Sequence, residues 1–196
     1  MSAHESMEHA EHAQHASSEN KRIALLIAII ALCLALSEML GKGAQTESIT
    51  ENVAAANLWA FFQAKSIRLT TVRTAAEQLQ AQADTIADPA AKAALTQRIE
   101  SWQKTAARYD DEPETGEGRK QLAERAKHAE HARDLAMARY HHFEVASAAF
   151  QIAIVLASAT IITGMIVLAW GAGLLMLAGI GFTLIGILAP HAVHLL

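Results

Sequence analysis

The chain of 196 residues has one cysteine, three prolines and, over its last 52 positions (145–196), no lysine, arginine, aspartate or glutamate. Cys33 lies inside an apolar run, so a disulfide framework and a cysteine-based zinc site are excluded. The slight acidic excess, 20 acids against 16 basic residues, has the wrong sign for a nucleic-acid binder, which needs a basic face. Catalytic and cofactor-binding signatures are missing as well. There is no GxGxxG, HExxH, GxSxG or CxxC, and Gly41-Lys42-Gly43 lacks the second glycine and the Ser or Thr of a phosphate loop. The expectation is a protein that is not an enzyme and carries no cofactor.

The missing charge is the informative absence. At the chain-wide 18% charged residues, about nine would be expected among the last 52 positions. A soluble domain of this size has no core that could hide so long an uncharged run, so the chain reads as membrane-embedded. Residues 1–22 form a polar tail rich in His and Glu, ending in Lys21-Arg22. The apolar run 23–40 follows, and its 18 residues reach about 27 Å as a helix, close to one hydrocarbon thickness. A signal peptide would also begin with a basic pair before an apolar stretch. The acidic tail, and Lys42 where a small residue belongs, favour an uncleaved first transmembrane helix.

Beyond it, Gly41 and Gly43 interrupt the pattern, and 44–144 reads as an extramembrane helical hairpin. Leu58, Phe62, Lys65, Leu69, Val72, Ala76, Leu79, Ala83 and Ile86 alternate spacings of four and three, a heptad seam with Lys65 its one charged member. Breaks are expected near 87–90, where Pro89 disfavours helical geometry in Asp88, and at the loop 110–118. The seam resumes at Leu95, Ile99, Trp102, Ala106 and Tyr109. From Arg119 one long helix is expected to run into the second transmembrane helix, 145–169. A tight turn at Trp170-Gly171-Ala172-Gly173 then leads to the third, 173–189, and a short tail, 190–196. The predicted fold class is therefore an all-α membrane protein, with three transmembrane helices and a long antiparallel coiled-coil-like hairpin between the first and second. Small residues at helical spacing mark each span: Ala24, Ala28, Ala31 and Ala35; Ala146, Ala149, Ala153, Ala157, Thr160 and Gly164; Ala172, Gly179, Thr183 and Gly186. Such stripes let helices approach closely where lipid is as apolar as leucine.

Four segments carry a family resemblance: EHAEHAQHA before the first span, NLWAFFQAKSIR (57–68), EPETGEG (112–118) and RYHHFEVASAAFQIAIVLAS (139–158). Together they span nearly the whole chain, which resembles the uncharacterised bacterial membrane-protein family catalogued as domain of unknown function 4337. The resemblance implies the same three-span plan and a multi-pass protein of the bacterial inner membrane. It brings no activity and no functional residues.

Three constellations are candidates for function. Asn57, Trp59, Phe61, Phe62, Gln63, Lys65 and Arg68 put aromatic and basic anchors on one helical segment, as partner or oligomer interfaces do, with core packing between hairpin arms as the alternative. Glu38, Arg139, His141, His142, Glu144, His191 and His194 should gather at one membrane interface, where ionisable groups pair because they are costly near hydrocarbon. A contact of Glu38 with Arg139 or His142 is the specific expectation, acting as a clamp, and Gln151 should bond between helices. His9, His12 and His15 step by three and are weak candidates to share a metal, as are the pairs His128/His131 and His191/His194; a solvated face is the favoured reading. Lys21-Arg22 favours a cytoplasmic tail, whereas Lys42, Lys127, Arg133 and Arg139 slightly favour a cytoplasmic hairpin. The expected function is that of a membrane-anchored helical scaffold or interaction protein. It would sit in the lipid bilayer and form a homo-oligomer, with an unknown protein partner as a further candidate. The alternatives are an oligomeric channel or transport-accessory subunit, and a metal or pH sensor using the His-rich tail.

Overall fold

In a computed structural model of the chain, which describes residues 3–192 and side chains from Lys21 onward, the regular structure is entirely helical. The order is α1 (Ala3–Ala83), α2 (Pro89–Asp110), α3 (Arg119–Thr163) and α4 (Ile166–Leu188). Three stretches, Lys21–Ala83, Arg119–Thr163 and Ile166–Leu188, are long and apolar enough to cross a membrane. No more than 28% of the residues in their apolar windows are buried within the protein, so most of that apolar surface faces outward. The chain divides into two compact units, Ile49–Arg133 and the remainder. Met1, Ser2 and 193–196, His194 among them, lie outside the described residues, as do the side chains of His9, His12 and His15.

The unit made of residues up to Ser48 and from Asp134 onward packs the early part of α1, the later part of α3 and α4. Its core holds Ile23 and Ile30 from α1, Ala146, Phe150, Ala153 and Ala157 from α3, and Ala172 from α4. Small residues decide how close these helices come. Gly41 does not end α1: it is buried, and a Cβ there would meet the Cβ of Phe143 at 3.4 Å. A helix absorbs two isolated glycines at about 1 kcal/mol each, and here one of them seats a neighbour. On α4, a Cβ at Gly179 would stand 2.7 Å from the buried Phe150 ring, and one at Gly186 3.0 Å from both His142 and Phe143. The alanines 146, 153 and 157 are buried, as the stripe on the second span predicted, whereas Ala24, Ala28, Ala31 and Ala35 on α1 are exposed.

The turn between α3 and α4 differs from the expectation. The chain reverses at Gly164-Met165, and Trp170-Gly171-Ala172-Gly173 lies within α4. Gly164 supplies φ +68°, the left-handed conformation that ends a helix, and its N–H donates to the Thr160 carbonyl. Thr163 Oγ1 then accepts from the Met165 amide. Gly171 and Ala172 are used for packing instead, Gly171 against Leu156 and Ala172 fully buried. The helix gains length in consequence. At 23 residues α4 extends about 34 Å, a full hydrocarbon thickness, where 173–189 would have fallen short.

In the unit Ile49–Arg133, α1 packs on α2 through Ala76, Ala83 and Ile99, with Leu79, Leu95 and Trp102 closing around them. Every member of the predicted seam from Leu58 to Ile86 is buried or half-buried. α1 ends at Ala83, before the expected break, and Asp88 caps α2: its carboxylate accepts from the Ala90 and Ala91 amides while Pro89 fills the first helical position. On α3, Leu122, Ala126 and Ala129 are buried.

Candidate functional site

The segment 57–68 divides between two faces of α1. Trp59, Phe62 and Lys65 turn inward; Asn57, Phe61, Gln63 and Arg68 are exposed. Trp59 packs edge-on to Phe62 with ring centroids 5.4 Å apart, and its Nε1–H donates to Glu130 Oε1 at 2.8 Å. The Phe62 ring lies under the guanidinium of Arg119 at 5.1 Å.

Lys65 is the centre of this arrangement. It is 6% exposed, and its Nζ stands 3.5 Å from Glu117 Oε2 and 3.9 Å from Glu112 Oε2. The same ammonium lies over the rings of Phe61 and Tyr109, at 5.4 and 5.3 Å. Both carboxylates come from the loop after α2, so the segments 57–68 and 112–118 meet at this lysine. The loop is held from its other side too. Glu112 N donates to Gln121 Oε1, Gln121 Nε2 to Asp111 Oδ1, Lys120 to Asp111 Oδ2 and Arg119 to Asp110. Gly116, at φ +69°, makes the turn, and a side chain on Gly118 would run into the Glu112 amide and Gln121. The hydrogen bond and charge of Arg108 hold the Glu112 carboxyl below the ordinary carboxylate value. Hydrogen bonds from Gln121 and Lys120 do the same for Asp111. Reciprocally, Glu112 raises Arg108 and Asp111 raises Lys120.

Sequence reasoning missed this pairing, although a signal for it existed. A lysine in an apolar seam needs a carboxylate partner, since an unpaired buried charge is costly, and the acid-rich loop supplies two.

The second constellation is not a single cluster. Glu38 meets neither Arg139 nor His142; its carboxylate accepts from Gln151 Nε2 at 3.5 Å, so Gln151 does bond between helices. Arg139 lies 4.0 Å from Glu47, and His141 3.6 Å from Glu144 on its own helix. His142, 1% exposed, stacks on Phe182 and has Nε2 3.0 Å from the Pro190 carbonyl. A carbonyl can only accept, so Nε2 carries the proton, and Nδ1 is left without a partner. His191 is exposed. Of the constellation's described residues, only Glu38 and Glu144 border an open groove of about 450 Å³ between α1 and α3. Glu38 and Gln151 line it, beside a polar link in which Ser147 Oγ donates to Ser37 Oγ and Ser37 Oγ to the Phe143 carbonyl. His128 and His131 are exposed, and no group of three or more metal-ligating side chains gathers among the described residues.

The fold and these contacts define a class: an all-helical protein with three helices able to cross a membrane and a loop latched onto a buried lysine. Residues 19–189 match the family model described as a domain of unknown function, DUF4337, and the chain belongs to that family. No curated protein and no solved structure matches it.

Proposed function

We propose that this chain is a non-enzymatic, membrane-anchored helical scaffold or interaction protein that associates with itself. In this reading the three apolar stretches cross the bacterial inner membrane, and 44–144 stands outside it as a coiled-coil-like hairpin. The latch at Lys65 carries the reading. The most chemically distinctive side chains in the extramembrane part (Trp59, Lys65, Glu112, Glu117, Arg119) are engaged with one another, in contacts that hold helices and a loop in place. Groups so engaged serve shape, and a fixed helical shape on a membrane anchor suits the display of a binding surface. Native mass spectrometry from mild detergent tests it. The expected result is one closed oligomer at micromolar concentration; a strict monomer overturns self-association.

A further inference from the structure

The outer face of α1 in the unit Ile49–Arg133 differs in chemistry from the rest of that unit's surface. Between 49 and 67, eleven positions are exposed and none of them is charged; Glu51 is half-buried and Lys65 buried. The exposed positions of α2 include Lys92, Arg98, Glu100, Lys104 and Arg108, and those of α3 before Asp134 include Lys120, Glu124, Arg125 and Lys127. On α1 the exposed face instead shows Ile49 at 60%, Val53 at 53% and Ile67 at 67% exposure. With Ala56, Ala60 and Gln63 between them, these residues alternate spacings of four and three, so they form a second heptad stripe opposite the one that packs inside the unit.

Lipid does not account for this stripe. Ile49 and Ile67 are 18 residues apart, about 27 Å along the helix, nearly a whole hydrocarbon thickness beyond a helix that has already supplied one. An uncharged stripe offers nothing for an oppositely charged partner to find; its complement is a surface of the same kind, and each copy of the chain carries one. Copies inserted the same way in one bilayer also present α1 in the same direction. Parallel pairing sets Val53, Ala60 and Ile67 against their own counterparts, with alanines allowing close approach. Gln63 then meets Gln63, a polar pair that fixes register. At the flanking heptad positions Asn52 falls beside Asn57 of the second copy, so no like charges oppose.

We propose that the Ile49–Ile67 face of α1 is the self-association surface, pairing in parallel and in register with α1 of a second copy. This deepens the scaffold reading and rests on it. The test is disulfide cross-linking of the full chain in native membranes, in a Cys33→Ala background. Single variants Val53→Cys, Ala60→Cys and Ile67→Cys are compared with Arg73→Cys, exposed on another side of the helix. The expected result is homodimer formation several-fold faster at the three stripe positions than at 73. Ala60→Glu, which sets two carboxylates against each other, should weaken dimerisation at least about tenfold while leaving helical content unchanged. Equal yields at all four positions overturn the surface. So do cross-links confined to a mixed Val53→Cys/Ile67→Cys pair, which mark antiparallel pairing. Stripe cysteines shielded from a water-soluble maleimide without cross-linking mark lipid or a different protein as the occupant, and overturn it too. An oligomer by native mass spectrometry alongside any of these leaves the scaffold reading standing; a monomer removes both.

Discussion

Lys65 shows how one residue can hold helices and a loop together. Its aliphatic stem fills a seam position while its ammonium is shared between two carboxylates and two aromatic rings. Glu117 is half-exposed, which weakens its part of the attraction, whereas Glu112 is mostly shielded. Lys65→Ala removes stem and charge together and leaves Glu112 with Arg108 as its ion-pair partner. It should lower unfolding stability by about 1–3 kcal/mol, read by denaturant titration in detergent. Arg68→Ala, one turn on and exposed, should stay within about 0.5 kcal/mol of the parent. The sequence identified Lys65 as the odd member of the seam, but the geometry that pairs it belongs to a loop some fifty residues away, and no local pattern encodes that distance.

Among the elements, the loop between α2 and α3 depends most on its electrostatics. Asp111 and Glu112 are both held below the ordinary carboxylate value. A carboxylate with a depressed folded-state pKa contributes stability above its unfolded value, and that contribution is lost as pH falls through the folded one. The loop should therefore stay docked from neutral pH down to about 4 and loosen below it. Hydrogen exchange of the amides of residues 112–118 checks this: protection should be unchanged between pH 7 and 5 once the intrinsic rate is corrected, and fall in more acidic buffer. Loss of protection already at pH 6 would assign the docking to another group. The helix ends divide by how local their causes are. The breaks near 87–90 and at 110–118 were legible, because proline and clustered like charge act within a few residues, whereas the Asp88 cap on α2 emerged only from the structure. The turn at Gly164 was not legible either. Gly164, Gly171 and Gly173 look alike in sequence, and which of them turns the chain depends on which can approach α3: Gly171 packs against Leu156, and Gly164 is left to adopt positive φ.

At the scale of the whole molecule, the three proposed crossings fix which segments share a side of the membrane. With three crossings, the loop at Thr115 and the chain after α4 share one side of the membrane, and Met165 lies on the other with the N-terminal tail. Cysteines introduced singly at Thr115 and Met165 in a Cys33→Ala background should label from opposite faces of sealed vesicles, Thr115 from the cytoplasmic face. Labelling of both from one face would remove the three-span plan.

The sequence by itself determined that the chain is helical, that three of its stretches can cross a membrane, and which face of α1 is buried from Leu58 to Ile86. These follow from composition and periodicity, properties written along a helix and readable without its neighbours. Only the tertiary structure decided that α1 runs through Gly41 and Gly43, that the chain turns at Gly164, that Glu38 is bonded to Gln151, and that Lys65 anchors the loop. Each of those depends on which side chain of a distant segment arrives at a given position. A glycine can end a helix or seat a phenylalanine, and a lysine can face water or a carboxylate; the choice is made by packing across helices, which one-dimensional spacing does not contain.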